Sequence, residues 1–445
     1  LALSFWAGTA LCATTGLRAA GAIAEMSHKR RTCSVWKSSR AHRIDVGALP
    51  RISLLVPLFK EHDIAADLIA RLDGLDYPKD RLEVCLILEE RDSQTADVLA
   101  WADLPEWMRI VRVPYGALRT KPRAMNYALD FTNGDIVGIY DAEDKPAKDQ
   151  LRKVAAGFAR AKPNVACLQG VLDFYNARQN WVTRCFTIDY AMWFRLILPG
   201  LVRLGIVIPL GGTTVFFRRR ALEDLGRWDA HNVTEDADLG VRLARHGYTA
   251  AFVDSVTEEE ATSSVPAWVR QRSRWIKGYA VTWAVHMRDP LRLLGELGAW
   301  KFIGVQILFL GTLTQFVMAP LLWSFWLVPF GFYHPVIEIA PHSVVLCMAA
   351  LFLIAEIATM SMAAFAVAGK KHRWAIKWVP VMHLYFPLAA VASWKGFAEL
   401  FTRPFYWDKT AHGRAPVRRR SILRRVGRIL RPRQHLAASA PQKPG

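Results

Sequence analysis

Acidic residues stand directly after a short apolar run in the first half of the chain, in the sequence IVGIYDAED. Asp141 and Glu143 are two residues apart, so a turn at this point lets both carboxylates face one hard cation. Mg²⁺ or Mn²⁺ bound by one or two carboxylates together with a diphosphate fits this pattern. Asp144 is a third carboxylate that could share the metal. A solvated acidic turn is the other interpretation, because short acidic pairs are common.

A second acidic group and an aromatic, basic group follow further along the chain. Thr234 precedes Glu235 and Asp236, and it can cap a helix whose first turn holds both carboxylates. Taken alone, this is ordinary helix capping. The run Gln271 to Trp275 (QRSRW) precedes an aromatic stretch and, taken alone, could be a lipid-facing arginine patch. Each signal is weak by itself, but their order and spacing together are specific.

Short apolar runs alternate with helical segments from about residue 50 to 290. The runs RISLLVPLF, LEVCLILEE, MRIVRVP and DIVGIYD predict buried parallel strands, and the segments between them predict helices. This pattern indicates a doubly wound α/β domain, whose ligands bind beyond the carboxyl ends of the strands. Polar or acidic clusters follow three of those strands, at Lys60–Glu61, Glu89–Asp92 and Asp141–Asp144. The absence of G-x-G-x-x-G and G-x-x-x-x-G-K-[ST] excludes dinucleotide-binding and P-loop sites.

The composition is apolar and strongly basic at the same time. Of 445 residues, 58 are Lys or Arg and 39 are Asp or Glu, giving a net charge of +19, while 52% are hydrophobic. This combination excludes a disordered or wholly soluble protein, and it suits a membrane protein whose cationic surface faces anionic lipid or a phosphorylated substrate. Six scattered cysteines without a C-x-x-C exclude a disulfide scaffold and a zinc site. The first residue is Leu rather than Met, which we interpret as a sign of a fragment or a trimmed chain.

Three apolar stretches predict membrane helices. Residues 1–24 are apolar except for Arg18 and precede a dense basic run, which predicts a helix that exits into the cytoplasm. Residues 302–369 predict two more spans, because their connecting loop lacks Lys and Arg while KKHRWAIK follows the second span. The charge asymmetry places residues 50–290 in the cytoplasm. Glu356 is the one acidic residue of the second span, and we interpret it as a packing or interface residue, with an ion site left open.

The remaining apolar and basic segments predict contact with the membrane surface. Arg184 to Gly205 is predicted to be an interface helix, and residues 376–413 are predicted to form another with a following loop. Residues 414–445 carry nine arginines between Arg414 and Arg433, with apolar residues at helical spacing. We interpret this tail as a basic amphipathic helix on anionic lipid rather than a nucleic-acid arm. The expected location is the cell inner membrane, as a multi-pass protein without a nucleic-acid partner.

Taken together, the motifs resemble those of the processive, membrane-embedded glycosyltransferases of family 2, which include cellulose, curdlan, chitin and hyaluronan synthases. The family's D-x-D, T-E-D and Q-x-x-R-W elements match Asp141–Glu143, Thr234–Asp236 and Gln271–Trp275. KPRAMNYAL (Lys121 to Leu129) is similar to the start of the family's donor-binding helix, and RPFYWDKTAHG (Arg403 to Gly413) is similar to its gating loop. The sequence departs from the family where Glu143 replaces the more usual Asp and where Arg91 interrupts an acidic cluster that would contact the nucleoside.

This resemblance implies a GT-A-like fold and the inverting transfer of a sugar from a UDP-sugar to a growing β-linked polysaccharide. UDP-glucose and a β-glucan are the preferred donor and product, followed by UDP-N-acetylglucosamine in a chitin- or hyaluronan-type synthase. Asp236 is then the expected general base with Glu235 beside it, and Asp141, Glu143 and Asp144 are the expected metal ligands. The residues expected at the donor are Pro57, Glu61, Glu90, Lys121, Asp141, Arg274, Lys409 and Thr410, and those expected at the acceptor are Thr234, Gln271 and Trp275.

Two other functions remain open from the sequence. A non-processive transferase acting on one membrane lipid keeps the same chemistry, although Q-x-x-R-W and RPFYWDKT weigh against it because both imply a retained chain. A transporter with a cytoplasmic regulatory domain has little support, because Glu356 is the sole acidic residue in its spans and no inverted repeat is evident. Three spans are few for a polymer channel. Export is therefore expected to need a helix before Leu1, a homo-oligomer or a partner protein.

Overall fold

A mixed eight-stranded sheet forms the centre of the computed structural model, which describes residues 2–35, 49–61, 65–102, 104–328, 330–334, 338 and 340–403. The order of the strands across the sheet is β3-β2-β1-β4-β7-β6-β8-β5. The strands are β1 (Ile52–Leu58), β2 (Leu82–Glu89), β3 (Met108–Val113), β4 (Ile136–Ile139), β5 (Lys145–Pro146), β6 (Val165–Phe174), β7 (Val215–Arg218) and β8 (Thr249–Glu259).

The four predicted strands are confirmed as β1 to β4, and β1 to β4 are parallel to one another. The second half of the sheet is mixed, because β7 runs antiparallel to both β4 and β6. β8 is parallel to β6, and the short β5 is antiparallel to β8. The carboxyl ends of β1, β2, β4, β6 and β8 therefore meet at one edge of the sheet. The predicted α/β class is correct, and the doubly wound pattern describes its first half.

Helices cover both faces of the sheet. Their bounds are α2 (Ala65–Asp73), α3 (Ser93–Ala100), α4 (Lys121–Leu129), α5 (Gln150–Arg160), α6 (Trp181–Met192), α7 (Leu198–Arg203), α8 (Arg219–Asp224), α9 (Glu235–Arg245) and α10 (Val265–His286). One core lies between the sheet and α2, α3 and α5, with Leu68 and Leu151 at its centre. The other includes Met125 and Leu239 and continues without a break into the helices outside the sheet domain. This face of the sheet is thus packed directly onto a helical bundle.

The helical bundle combines the N-terminal helix with the C-terminal third of the described chain. Its helices are α1 (Ala2–Val35), α11 (Pro290–Val305), α12 (Thr312–Val317), α13 (Ala319–Ser324), α14 (His342–Ala366), α15 (Met382–Tyr385) and α16 (Pro387–Thr402). Within the described ranges, three helices are long and apolar enough to cross a membrane, namely Trp181–Arg203, Pro290–Val317 and His342–Ala366. A further bent pair, Arg373–Tyr385 with Pro387–Thr402, would make a fourth if it counted as one span.

These helices differ from the predicted spans in two places. The predicted span over residues 1–24 lies in the continuous helix α1. This helix is not among the three candidate membrane spans, because Ser, Thr, Gly and Arg18 lower its mean hydropathy. Its crossing of the membrane stays a prediction. The predicted interface helix at Arg184 lies within Trp181–Arg203, which is long and apolar enough to span but is mostly buried inside the protein. The gating-like loop and the basic tail, including Lys409 and Thr410, lie outside the described residues.

Candidate active site

A cavity of about 760 Å³ opens at the sheet edge where the parallel strands end. Its polar wall is formed by the residues that follow β1, β2, β4 and β8, by the first turn of α9 and by one face of α10. Of the predicted site residues, this cavity is lined by Pro57, Glu61, Lys121, Asp141, Glu143, Thr234, Glu235, Asp236, Gln271, Arg274 and Trp275. Segments far apart in the sequence therefore converge on one site, as their chemistry predicts.

Among the predicted residues that the structure describes, two do not line the cavity. Glu90 turns away from it, and its carboxylate accepts a hydrogen bond from the backbone N–H of Tyr115 at 2.8 Å. The neighbouring Glu89 lines the cavity instead. Asp144 lies behind the wall and is almost fully buried. Its carboxylate accepts hydrogen bonds from the Asp141 backbone N–H at 2.9 Å and from the Thr213 hydroxyl, so it holds the acidic turn in shape.

Helix α9 presents Glu235 and Asp236 to the cavity in its first turn. The sequence correctly predicts that this helix begins after Thr234, but the Thr234 hydroxyl makes no capping hydrogen bond. The Thr234 hydroxyl lies 3.5 Å from the hydroxyl of Thr282 on α10. Gly278 of α10 leaves room for the Thr234 side chain, because a Cβ at position 278 would lie 2.2 Å from the Thr234 methyl group. The close approach of α10 thus fixes where α9 begins. Asp236 also accepts a hydrogen bond from the Ala237 backbone N–H at 2.7 Å.

The two carboxyl groups of this turn have different proton affinities. Burial raises the pKa of Glu235 to about 8, with a further contribution from the negative charge of Asp236. Burial also raises the pKa of Asp236, but only to about 6, because the Ala237 N–H, Lys121 and Arg274 favour its charged form. Between these two values Glu235 holds a proton while Asp236 is ionised. Asp236 is therefore the better proton acceptor of the pair at neutral pH.

Lys121 connects the donor-binding helix to the acidic turn. It occupies the first turn of α4, where its ammonium group donates to Asp141 Oδ1 at 2.5 Å and to the Gly212 carbonyl at 2.7 Å. The carboxylates of Asp141, Glu235 and Asp236 raise the pKa of Lys121 against the opposing effect of burial. The ammonium group is therefore charged at the site where a diphosphate would need neutralisation.

The acidic turn suits a cation that shares its ligands with a phosphorylated substrate. Oδ1 of Asp144 is buried and has no hydrogen-bond partner among the described residues. Burial and the charges of Asp141 and Glu143 raise the pKa of Asp144 well above its ordinary value, a repulsion that a divalent cation would relieve. No group of three His, Cys, Asp or Glu residues within the described ranges is arranged to hold a metal by itself. Phosphate oxygens would have to complete the coordination, as is usual for Mg²⁺.

Sequence reasoning missed several charged residues of the cavity, among them Glu259 and Arg272. Glu259, at the end of β8, lines the cavity, and burial together with the charges of Asp144 and Glu143 raises its pKa well above the ordinary value. Arg272, inside the QRSRW run, forms an ion pair with Asp189 of α6, and its guanidinium group lies about 5 Å from the ring centroid of Trp275. A buried arginine must have a carboxylate partner, but nothing in the sequence shows which one it is.

Trp275 belongs to an aromatic group of which Tyr190 also lines the cavity. Its ring centroid lies 6.2 Å from that of Phe186 and 6.4 Å from that of Tyr190. It is partly buried and lines the cavity beside Gln271 and Arg274. The predicted acceptor residues are therefore adjacent to the predicted donor residues.

Comparison with known proteins identifies the family. A family model described as "Glycosyl transferase family group 2" matches residues 136–362, about half of the chain. The chain belongs to this family. The family 2 glycosyltransferase assignment predicted from the D-x-D, T-E-D and Q-x-x-R-W elements is confirmed. Membership of the processive branch stays a prediction.

Curated relatives and solved structures agree with this assignment. The chain is 26% identical over 239 residues to the probable glycosyltransferase YdaM of Bacillus subtilis, covering 53% of this chain and 57% of that protein. It is 31% identical over 267 residues to the β-monoglucosyldiacylglycerol synthase of Synechocystis, covering 58% and 55%. The chain thus spans little more than half the length of these relatives.

A solved structure supports the fold. The mannosyltransferase PcManGT of Pyrobaculum calidifontis, determined with GDP-Man and Mn²⁺, is similar with a TM-score of 0.50 and 20% identity over 86% of this chain and 99% of that one. The α/β domain therefore has a GT-A-like fold, as predicted.

Proposed function

We propose that this glycosyltransferase transfers a sugar, with inversion, from a nucleoside diphosphate sugar to a hydroxyl group of a membrane lipid. One observation carries the proposal. The cavity that holds Asp141 and Asp236 continues without interruption into the helical bundle. Its far walls are mainly apolar and are formed by Leu11, Phe316, Ala319, Leu322, Trp323, Phe352, Phe386 and Ala389. Arg18, Thr312, Gln315, Glu356 and Thr359 are the polar residues that these helices add to the lining.

The two halves of the cavity suit the two parts of such a reaction. The polar half provides charged groups for a diphosphate, whereas the apolar half offers little to a hydroxyl-rich polymer and matches acyl chains. It lies among α12, α13, α14 and α16, of which α14 is apolar enough to cross a membrane. A lipid seated there would place its hydroxyl group near Asp236 while its chains remain in an apolar environment. This arrangement favours a multi-pass protein of the inner membrane with a cytoplasmic catalytic domain.

The chemistry follows from the charges in the polar half. The acceptor oxygen bonds to the anomeric carbon as the bond from that carbon to the phosphate oxygen breaks, and Asp236 takes the hydroxyl proton. Lys121 and Arg274 stabilise the diphosphate leaving group. Mg²⁺ or Mn²⁺, when held by Asp141 and the acidic turn, supplies further charge neutralisation. A single displacement inverts the anomeric carbon, so an α-linked donor gives a β-linked product.

The relatives favour a glucosyl donor and a lipid acceptor, because two of them are named as synthases of a glucosyl lipid. One is the Synechocystis protein described above. The β-monoglucosyldiacylglycerol synthase of Trichormus variabilis is also 31% identical, over 52% of this chain. We therefore propose UDP-glucose as the donor and a diacylglycerol-like lipid as the acceptor.

A growing β-linked polysaccharide is the second candidate acceptor. It is favoured by Trp275, because an indole ring in the cavity can stack on a sugar ring. In that case UDP-N-acetylglucosamine is an alternative donor, and an oligomer or export partner would be needed. The two candidates differ in what occupies the apolar half of the cavity.

Filling the apolar half of the cavity should separate these candidates. Ala319→Phe adds a ring to the wall of the apolar half, so we expect the KM for the lipid acceptor to rise at least about tenfold. A rise of this size corresponds to the loss of contacts made by roughly two methylene groups of the lipid. Hydrolysis of the donor by water should be unchanged. The measurement is transfer of radiolabelled glucose from UDP-glucose into an organic-soluble product by the purified, reconstituted chain.

The matched control places the same ring on the outside of the bundle. Val391 on α16 is 57% exposed, so Val391→Phe should leave both activities at the wild-type level. Equal lipid transfer by the Ala319→Phe variant and the wild type would show that the lipid does not occupy this part of the cavity.

Acidification should slow transfer through protonation of Asp236. Because burial raises the pKa of Asp236 to about 6, the base is ionised above that pH and protonated below it. The rate of transfer should therefore fall about tenfold per pH unit below about 6. The check is a pH profile of kcat/KM for the acceptor, with circular dichroism at each pH to establish that the chain remains folded. A flat profile down to pH 5 would exclude Asp236 as the base.

A further inference from the structure

A second cavity, of about 610 Å³, lies on the other side of the β6 end from the active site. It is formed by the loop after β6, by Lys145 and Glu258 of the sheet edge, and by the segment that follows α14. Phe174 lines both cavities. The transfer reaction described above uses none of the other residues of this second cavity.

The second cavity lies just beyond the end of α14, one of the helices that are long and apolar enough to cross a membrane. α14 ends at Ala366, and Phe365 in its last turn is 46% exposed, as expected of a lipid-facing residue. Lys371 and His372 follow within two turns and line the cavity. Basic residues directly beyond the apolar end of a span, together with tryptophans, mark the interface between the bilayer and water. The cavity is therefore at the depth of the lipid headgroups.

Arg178 lines this cavity, and Arg184 lies beside it, outside the lining, where it donates a hydrogen bond to the Arg178 backbone carbonyl at 3.1 Å. Both arginines are held on tryptophan rings. The guanidinium group of Arg178 lies 4.8 Å from the ring centroid of Trp374, and that of Arg184 lies 4.3 Å from the ring centroid of Trp378. Both tryptophans belong to the 3₁₀-helix Arg373–Val381. Stacking orients a guanidinium group and leaves its N–H groups at the ring edge available for an anion.

The charges around these arginines are not balanced locally. Within the described part of the chain, no carboxylate lies within ion-pair distance of Arg178 or Arg184. Lys371 does have partners, because it donates to Asp173 at 2.7 Å and to Glu258 at 2.8 Å. These contacts, with the hydrogen bond between His372 and Asp173 at 3.0 Å, fix the segment after α14 on the sheet domain. Lys145 also pairs with Glu258, at 3.5 Å. Among the charged residues that line the cavity, Lys145, Arg178 and Lys371 outnumber Glu258, so the rim carries excess positive charge.

We propose that this second cavity binds the phosphodiester headgroup of an anionic phospholipid. Arg178 would donate hydrogen bonds to the phosphate oxygens, the positive charge of the neighbouring Arg184 would add to the attraction, and Trp374 would lie at the level of the glycerol backbone. The lipid would attach the catalytic domain to the bilayer beside the acceptor cavity. This binding is independent of the transferase reaction proposed above.

The test measures lipid retention by native mass spectrometry on the full chain in nonionic detergent, titrated with phosphatidylglycerol or phosphatidylcholine. We expect the wild type to retain phosphatidylglycerol in preference to phosphatidylcholine. Arg178→Gln should weaken retention of phosphatidylglycerol about fivefold, the usual effect of one basic residue near an anionic headgroup, and a second change, Arg184→Gln, should weaken it further. Arg178 is exposed, so its loss should not affect folding.

Lys162→Gln is the matched control, because it removes one exposed positive charge at the opposite end of β6 and should leave retention unchanged. The basic tail is present in every variant, so any lipid that it holds cancels in the comparison. Equal retention of the two lipids, or no effect of Arg178→Gln, would overturn the proposal. Displacement of phosphatidylglycerol by inorganic phosphate at equal concentration would also overturn it, in favour of a site for free phosphate. UDP release, measured on the same samples, reports the transferase reaction separately.

Discussion

Replacing Asp236 by Asn should abolish sugar transfer while nucleotide binding remains close to normal. The change keeps the shape of the side chain and its position in the first turn of α9, but it removes the group that accepts the hydroxyl proton. The expected loss is about 10²–10⁴-fold in kcat, the usual contribution of a general base. The measurement is the transfer rate of the purified variant, together with UDP affinity from calorimetry.

Two other variants show whether that loss belongs to Asp236 itself. Glu235→Gln should cost much less, because burial raises the pKa of Glu235 to about 8 and the residue is already neutral at pH 7. Asp224→Asn, at the exposed end of α8, should have no effect. If Asp236→Asn retained more than about a tenth of wild-type activity, the assignment of the base would be wrong.

The second large effect is expected at Asp141. Asp141→Asn should weaken metal-dependent UDP binding by more than about tenfold, since even the outer partners of bound metals contribute that much. In the wild type, EDTA should reduce UDP affinity to the level of this variant, whereas in the variant EDTA should change little. The measurement is calorimetric titration of UDP with Mg²⁺, with Mn²⁺ and with EDTA.

Asp141 also pairs with Lys121, so a control for that contact is needed. Lys121→Met removes the ammonium group and leaves the carboxylates in place, and this variant should therefore remain sensitive to EDTA. If EDTA did not change the UDP affinity of the wild type, a metal would not take part in UDP binding.

The sequence was sufficient for the local features of the site. The apolar runs that became β1, β2 and β4 are followed by or end in acidic residues that line the cavity. Thr234 marked the first turn of α9, because short-range patterns determine such boundaries. The interpretation failed where long-range packing decides the outcome. Asp189 and Arg272 are 83 residues apart in sequence and pair only because α6 and α10 meet.

The acceptor side was less predictable for the same reason. The sequence marked residues 302–369 as apolar, but nothing in it indicated that Ala319 and Phe352 would line a cavity continuous with the one that holds Asp236. The motif Q-x-x-R-W favoured a polymer, whereas the packing of the helices provides an apolar chamber. A small residue such as Ala319 gives no signal of its own, because its importance comes from the space that it leaves.

The central claim is that one sugar is transferred with inversion to a lipid seated in this cavity. The most direct test incubates the reconstituted wild type with UDP-glucose and diacylglycerol, and then determines the product by mass spectrometry and by nuclear magnetic resonance of its anomeric proton. The account predicts an organic-soluble lipid that carries one β-linked glucose, and no product from the Asp236→Asn variant. An α-linkage would contradict the inverting mechanism, and an insoluble chain of many sugars would contradict the lipid acceptor.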